Sequence, residues 1–390
     1  MLDIEGTYHT LPCKPDHKRY LTVFFEGFFY IDQNIPFGLA SVTGLQGEVA
    51  DVIIDIWKYL GVDPALKWVD DFAIFCFPDK RGCHLTISAN SLYHYSYNLE
   101  SMKNLIVPLG MPWHKEKGSD FTDIFVYVGL SWNILEKSVS LPESKRLKYL
   151  TKIQTFLQSY EHAQALKVEA ESLSGTLTHI TFVFLHGRSY MSNIYEWIAN
   201  FPNKFTPCYL KSSVISDLKW WACLLSAPHL SRSLHFRKEP TRDYNIWVDV
   251  SMNWGIGILW NGQWDAWCTT EDWRAPSRDI GWLEGVAAEI AILITRDKGI
   301  QDADVLIRSD NKGVISAFRK GRSSNFMVNL SIHCSEEIYA STGLSSTLIY
   351  VDTHQNFADP ISRGILPSSH LHLPSLTQLP PPISQFFIHA

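Results

Sequence analysis

Trp68-Val69-Asp70-Asp71-Phe72-Ala73-Ile74-Phe75 sets two adjacent aspartates inside an apolar, β-prone run. An unpaired carboxylate is costly to bury, so the pair needs either solvent or a partner. Side chains alternate between the faces of a strand, and Leu66 to Phe77 therefore reads as two strands folded around the doublet. Two readings stay open on these residues alone: a polar hairpin turn, or a turn that aims at least one carboxylate into a cleft. Working outward, residues 19–33 form two apolar runs joined at Glu26-Gly27, a second hairpin closed by Pro36. Residues 38–60 then have helical spacing, with Leu39, Val42, Leu45, Val49, Ile53 and Ile56 near one face. A helix is expected around 89–107 and a strand over 124–130.

The texture changes at Pro142. Residues 142–225 are mostly helical by periodicity, and 226–243 read as a linker. Strand signals resume at Tyr244–Val250 and Gly255–Trp260, followed by a helix at Trp282–Thr295, a strand at Val305–Ser309, a helix at Lys312–Lys320 and a strand at Leu348–Val351. The tail from 366 is rich in Pro, Ser and Leu, and Pro380-Pro381-Pro382 is expected to stop regular structure. No repeat is visible.

Length and composition set the outer bounds. A chain of 390 residues with 46% apolar and 19% charged residues has material for two or three cores, which excludes disorder throughout. No apolar run reaches the roughly 18 residues needed to span a bilayer, so no membrane partner is expected. The start, Met1-Leu2-Asp3-Ile4-Glu5, is not a secretory or mitochondrial signal. Seven cysteines without a CxxC pair argue for reduced thiols and an intracellular location, in cytoplasm or nucleus. The net charge of −6 leans mildly against nucleic-acid binding, so specific motifs must overcome it.

Those motifs come in order. Asp3-Ile4-Glu5-Gly6-Thr7-Tyr8 is followed by Pro36-Phe37-Gly38, then by Trp68-Val69-Asp70-Asp71, then by Gly110-Met111-Pro112-Trp113-His114-Lys115-Glu116-Lys117, and finally by Phe125-Val126-Tyr127-Val128-Gly129-Leu130. Together they resemble the palm motifs of reverse transcriptases. The resemblance implies that Asp3, Asp70 and Asp71 hold two Mg²⁺ (or Mn²⁺) ions for nucleotide addition. It implies that Tyr8 closes against the sugar, that Pro36, Phe37 and Gly38 lead into a template-contacting helix, and that Lys117 donates a proton or charge to the departing pyrophosphate. Trp68 stands where the family has Tyr, and Thr7 where it has a small alanine. The family's fingers subdomain lies upstream of the first aspartate. The expectation is therefore a palm without fingers, which an upstream segment would supply, and negligible processive polymerisation by this stretch alone.

A second set of carboxylates follows a different layout. Asp249 ends the strand Ile246-Trp247-Val248-Asp249, Glu284 opens a helix at Trp282-Leu283-Glu284-Gly285, and Asp310 ends the strand Leu306-Ile307-Arg308-Ser309-Asp310. Asp359 lies in His354-Gln355-Asn356-Phe357-Ala358-Asp359-Pro360-Ile361-Ser362-Arg363-Gly364. Carboxylates at strand ends and helix starts converge at one edge of an α/β sheet. The helix dipole explains Glu284 cheaply and Asp310 in part, but leaves Asp249 unexplained. The set resembles ribonuclease H, which implies a second two-ion site cleaving RNA in RNA–DNA hybrids, with His354 near the family's mobile histidine. Glu289 is the rival to Glu284.

Lys145, Lys148 and Lys152 share a helix face that could track a phosphate backbone, or be simply solvated. Arg319, Lys320 and Arg322 are expected to lie beside the second site in the same role. The many tryptophans, among them Trp220, Trp221, Trp254, Trp260, Trp264 and Trp267, suit base stacking or, more commonly, packing.

The expected fold is an α+β palm without fingers over 1–135, a helical thumb or connection with linker over 136–240, an α/β RNase H-like domain with a mixed sheet over 241–365, and a Pro/Ser-rich tail over 366–390. The ending Ala358-Asp359-Pro360-Ile361-Ser362-Arg363-Gly364 looks most like retrotransposons of the tyrosine-recombinase (DIRS-like) group, with long-terminal-repeat elements second. The expected partners are an RNA template, a DNA primer, RNA–DNA hybrid and dNTPs. The rival readings are a catalytically decayed or co-opted fragment that binds nucleic acid without polymerising, and a nuclease for which the palm is scaffold.

Overall fold

The Glu26-Gly27 pair has φ of +48° and +84°, the left-handed pair that a two-residue hairpin turn requires. It joins β2 (Thr22–Phe25) to β3 (Phe28–Ile31), whose residues are all exposed. The computed structural model describes residues 1–36, 38–77, 95–228, 230–234, 241–276, 278–374 and 377–390. Phe37, and residues 89–94 of the helix expected over 89–107, lie outside the described residues.

The described chain divides into two units, Met1–Pro142 and Glu143–Ala390. In the first, β1 (Leu2–Asp3) precedes the hairpin, and α1 (Val42–Tyr59), β4 (Ala65–Trp68), β5 (Asp71–Ile74) and α2 (Leu99–Leu105) follow it. A meander of β6 (Ile124–Tyr127), β7 (Leu130–Asn133) and β8 (Ser138–Ser140) completes the unit. Strands β1, β5 and β4 form an antiparallel sheet in that order, with Leu2 opposite Phe72 and Asp3 opposite Asp71. The apolar face of this sheet (Leu2, Phe72, Ile74) packs on Ala50, Ile53 and Trp57 of α1 and Met102 of α2. Trp57 is fully buried, donates its indole N–H to the Met102 carbonyl at 3.1 Å and meets the Phe72 ring edge-on. Helix α2 begins at Leu99, capped reciprocally by the Asn98 and Ser101 side chains and backbones.

The second unit opens with α3 (Glu143–Tyr160), the short strand β9 (Gln164–Ala165), α4 (Lys167–Ile180), α5 (Ser192–Ala199), β10 (Cys208–Tyr209) and α6 (Ser212–Ser226). After β11 (Ser231–Ser233) come β12 (Arg242–Val250), β13 (Gly255–Trp260), β14 (Gln263–Thr269), α7 (Ile280–Asp297), β15 (Asp304–Ser309), α8 (Lys312–Lys320), α9 (Phe326–Thr342), β16 (Ser345–Tyr350), α10 (Asp359–Ser362), α11 (Pro381–Ser384) and β17 (Phe387–His389). The sheet order is β16-β15-β12-β13-β14-β17; β12, β15 and β16 run parallel and the remaining pairs antiparallel. Buried residues of α7, among them Trp282, Val286, Ile290 and Ile294, pack on Ile246, Val248, Ile256 and Ile258 of the sheet.

Three features of the second unit depart from the sequence reading, as in the first do the turn at Val128-Gly129, which splits the strand expected over 124–130 into β6 and β7, and the exposure of Leu39 and Leu45. Strand β14 was not anticipated, although Asn261-Gly262, at φ +51° and +81°, is the hairpin turn that creates it. Helix α9 was not anticipated either, because its buried face carries Asn329, Ser331 and Ser335 and so hides the apolar period. The third is a correction: residues 366–390 are not a tail that stops regular structure. Pro381 and Pro382 occupy the first positions of α11, where a missing N–H costs nothing, and Leu373, Ile383 and Phe387 join the core. Strand β17 then pairs with β14 and covers what would be an open sheet edge.

Gly257 shows how tightly α10 lies on this sheet. A β-carbon there would collide with the Ser362 amide nitrogen and lie 2.9 Å from the Ala358 carbonyl oxygen, both backbone atoms. Gly257→Ala should therefore destabilise the protein by about 1–3 kcal/mol, the usual cost of overpacking. Chemical denaturation followed by tryptophan fluorescence checks this, and an unchanged midpoint would show that α10 is free to shift.

Candidate active sites

In the first unit the doublet sits at a two-residue turn, Val69-Asp70, between β4 and β5. Val69 has φ +56°, a strained conformation for a β-branched residue and one that recurs at functional turns. Across β1 and β5, Asp3 and Asp71 stand directly opposite, which places their Cα atoms about 5 Å apart. Thr7 donates to Asp70 Oδ2 at 3.0 Å, and Lys117 Nζ is 3.6 Å from Asp3 Oδ1. The segment that carries Lys117 is aligned on β1 by backbone bonds from Glu5 N–H to the Pro112 carbonyl and from His114 N–H to the Asp3 carbonyl. Burial first, then Asp70 and Asp3, raise the Asp71 carboxyl above its ordinary range, while Lys117 pulls it down. Asp3, Asp70, Asp71 and Lys117 are thus one electrostatic cluster. Tyr8 lies in a 3₁₀ turn with its hydroxyl 3.4 Å from Thr43 Oγ1 of α1. Pro36 is half-buried and Gly38 is exposed at φ +97°.

The second cluster is deeper. Asp249, on the central strand β12, is 3% exposed and Glu284, in the second turn of α7, is 5% exposed. Asp249 Oδ1 accepts from the Asn356 amide at 3.0 Å, and Oδ2 accepts from the Ser362 hydroxyl at 2.5 Å. Asp310, just past β15, accepts from the Thr353 hydroxyl at 2.6 Å, and Asp359 accepts two bonds from the Arg363 guanidinium. Burial pushes Asp249 up to about 7, with Asp310 and Asp359 adding repulsion and Ser362 and Arg363 opposing it. Glu284 is pushed up to about 9 by burial, then by Asp310 and Asp249, and its Oε2 is buried without a hydrogen-bond partner. Asp249 is therefore in electrostatic range of the other three carboxyls, and Glu284 of Asp249 and Asp310; the donor set is all oxygen, as Mg²⁺ or Mn²⁺ prefers.

Glu289, the rival, faces the other way. It is fully buried between α7 and α9, beside Ser331 and Cys334. His354 is exposed in the turn Thr353–Gln355, its backbone N–H bonded to Asp352; no contact brings its ring to the carboxylates among the described residues. Lys152 is not on an open face: its ammonium has three acceptors, the Ser172 carbonyl and the Ser172 and Thr176 hydroxyls, and it ties α3 to α4. Lys148 is exposed and Lys145 half-buried on the same helix. The tryptophans resolve toward packing, since Trp221, Trp260, Trp264 and Trp267 are all buried and Trp220 stacks on Tyr190.

Sequence reading missed Asn356, Ser362, Thr353 and Arg363 as partners of the second cluster. Their signal was the polar spacing inside residues 353–363, where Asn356 and Ser362 are six apart and flank Asp359. No known protein-family profile matches the chain, and no curated protein does. Among solved structures it is similar to a foamy viral protease-reverse transcriptase bound to double-stranded DNA (14% identity, TM-score 0.42, 90% of this chain and 56% of that one). It is similar, too, to the foamy viral protease-reverse transcriptase with RNA/DNA hybrid (12%, 0.43, 98% and 46%). The chain spans about half the length of these two structures.

The displaced carboxyls set a pH dependence. Glu284 has a folded value of about 9 against an ordinary 4.5, so between the two the folded state holds the extra proton and stability falls as pH rises. Asp249, about 7 against 3.8, acts in the same direction over a lower window. In EDTA the melting temperature should fall from about pH 5 to about pH 9, and Glu284→Gln should flatten the upper part of that fall. A slope unchanged by Glu284→Gln would mean that this carboxyl is not the displaced group.

Proposed function

We propose that residues 241–365 act as a divalent-metal-dependent ribonuclease H on RNA–DNA hybrids, and that the cluster around Asp70-Asp71 is the nucleotidyl-transfer site of a reverse-transcriptase palm. The observation that carries the reading is the convergence of Asp249, Glu284, Asp310 and Asp359, with two of the four pushed far up and one Glu284 oxygen orphaned. Like charges gathered in a dry site are expensive without a cation. Two bound Mg²⁺ or Mn²⁺ ions per site would stabilise the attacking and leaving oxygens of a displacement at phosphorus.

The chain's own residues do the positioning. Asn356 and Ser362 fix both oxygens of Asp249, so that it serves as the central ligand. Arg363 and Thr353 orient Asp359 and Asp310, leaving Glu284 as the ligand whose orphaned oxygen waits for a partner. In the palm, Asp3 and Asp70 would hold the ions and Asp71 complete the site; Thr7 orients Asp70. Lys117 lies beside Asp3, where positive charge would favour a departing pyrophosphate. Tyr8 would meet the sugar, and Pro36, Phe37 and Gly38 would lead the template to α1. The partners would be an RNA template, a DNA primer, the hybrid and dNTPs, in the cytoplasm or nucleus. A retrotransposon of the tyrosine-recombinase group would supply such a chain, a long-terminal-repeat element being the second source. Of the two activities the nuclease is the better supported, because Asp249 and Glu284 are buried and strongly displaced, whereas the palm aspartates are only half-buried.

The test uses the full chain. End-labelled RNA–DNA hybrid with Mg²⁺ should be cut by wild type and left intact in EDTA, and by Asp249→Asn and Asp310→Asn, with melting curves showing those variants folded. Primer extension on poly-rA, compared with Asp70→Asn, tests the palm separately. A folded wild-type chain that binds Mg²⁺ and hybrid but cuts nothing would replace the enzyme with a nucleic-acid-binding protein.

A further inference from the structure

A third group of ligating side chains lies at the β14–β17 edge of the sheet. Asp265 is two strands from Asp249, and alternation along β14 puts it on the opposite face, since its neighbour Ala266 packs beneath Ile361 of α10. Its carboxylate is 1% exposed, and the charges that act on it most are the imidazoles of His389 and His372, with Asp297 and Lys298 lining the small cavity beside it. His389 Nε2 lies 2.6 Å from Asp265 Oδ1, the Ala266 N–H donates to the same oxygen at 2.9 Å, and His372 Nε2 stands 3.3 Å from it. One ligand atom from each of the three residues lies within 4.8 Å of the other two. His372 Nε2 is buried and, despite its closeness to Asp265, makes no hydrogen bond. A buried ring nitrogen aimed into a cluster without a partner is a cost, and a cation there would remove it.

We propose that Asp265, His372 and His389 form a transition-metal site of the zinc type, separate from both carboxylate clusters. Two imidazoles and one carboxylate are a three-ligand set for Zn²⁺ with the fourth position left to water, and they are a poor set for Mg²⁺, which wants oxygen alone. His389 is on the exposed side of the cluster, so solvent reaches that fourth position. The three ligands come from different segments. Asp265 is on β14, His372 stands beside Trp264 in a parallel bridge, and His389 ends β17 opposite Trp267. A bound ion therefore ties the C-terminal segment from His372 onward to β14. The Trp264 and Trp267 rings lie against His372 and His389, at 4.5 Å and 5.3 Å, and hold both imidazoles near the cluster. Binding in the folded state alone would raise stability through mass action.

The experiment titrates EDTA-stripped full-length protein with Co²⁺ in excess Mg²⁺, which occupies the all-oxygen sites. Wild type should develop the visible bands of tetrahedral Co²⁺ with one equivalent bound, lose them when Zn²⁺ is added, and melt at a higher temperature with either ion. His389→Ala and His372→Ala should each weaken Co²⁺ binding by more than about tenfold, while Asp249→Asn keeps the bands. The His389 side chain is 35% exposed at the end of β17, and a metal-free melting curve close to that of wild type checks that its removal leaves the fold intact. Absence of the bands in wild type, or bands that survive in His389→Ala, would overturn the site. Bands lost in Asp249→Asn but kept in both histidine variants would assign the ion to the other cluster and overturn it as well.

Discussion

Burying a carboxylate costs several kcal/mol unless something nearby favours its charged form, and Asp249 is buried at the centre of a six-stranded sheet. Much of the second unit follows from that constraint. Strand β12 is apolar on both sides of Asp249, because α7 covers one face and α10 lies on the other. Helix α10 reaches Asp249 only because Gly257, directly opposite it on β13, has no side chain. That approach delivers Ser362 and Asn356 to the two carboxylate oxygens, and the same short segment brings Asp359 and Arg363 into range. Burial also raises Glu284, and the repulsion of Asp310 and Asp249 adds to it.

The first unit meets the same problem in a shallower place. Asp70 and Asp71 are half-buried at a turn, Asp3 is brought opposite by a two-residue strand, and Thr7 and Lys117 supply partial compensation. The displacement of Asp71 is correspondingly smaller, with solvent and one lysine sharing the work. Val69 in a left-handed conformation is the local cost of presenting both aspartates at a hairpin tip.

The carboxylates were legible in the sequence because each breaks a pattern: Asp249 interrupts an apolar strand, Asp310 ends one, and Asp70-Asp71 divides a run that should be continuous. Their assembly was legible because strand ends and helix starts meet at one sheet edge. What holds them was not. Asn356 and Ser362 look like ordinary loop and helix-end residues until α10 is folded onto Gly257, a long-range contact that no local periodicity encodes. The same limit hid α9, whose small polar residues face α7, and the last 25 residues, where prolines suggested an end to structure and in fact start a helix. His372 and His389 carried no signal because their partner Asp265 is more than 100 residues away in sequence.

The central claim is that the Asp249, Glu284, Asp310 and Asp359 carboxyls are a divalent-cation site rather than a cluster kept neutral by protons. Crystals soaked in Mn²⁺ near neutral pH and measured at the manganese absorption edge address it directly. Anomalous density is expected among the Asp249, Glu284 and Asp310 carboxyls, which would hold the ion. Empty density between well-ordered carboxyls at saturating Mn²⁺ would contradict it.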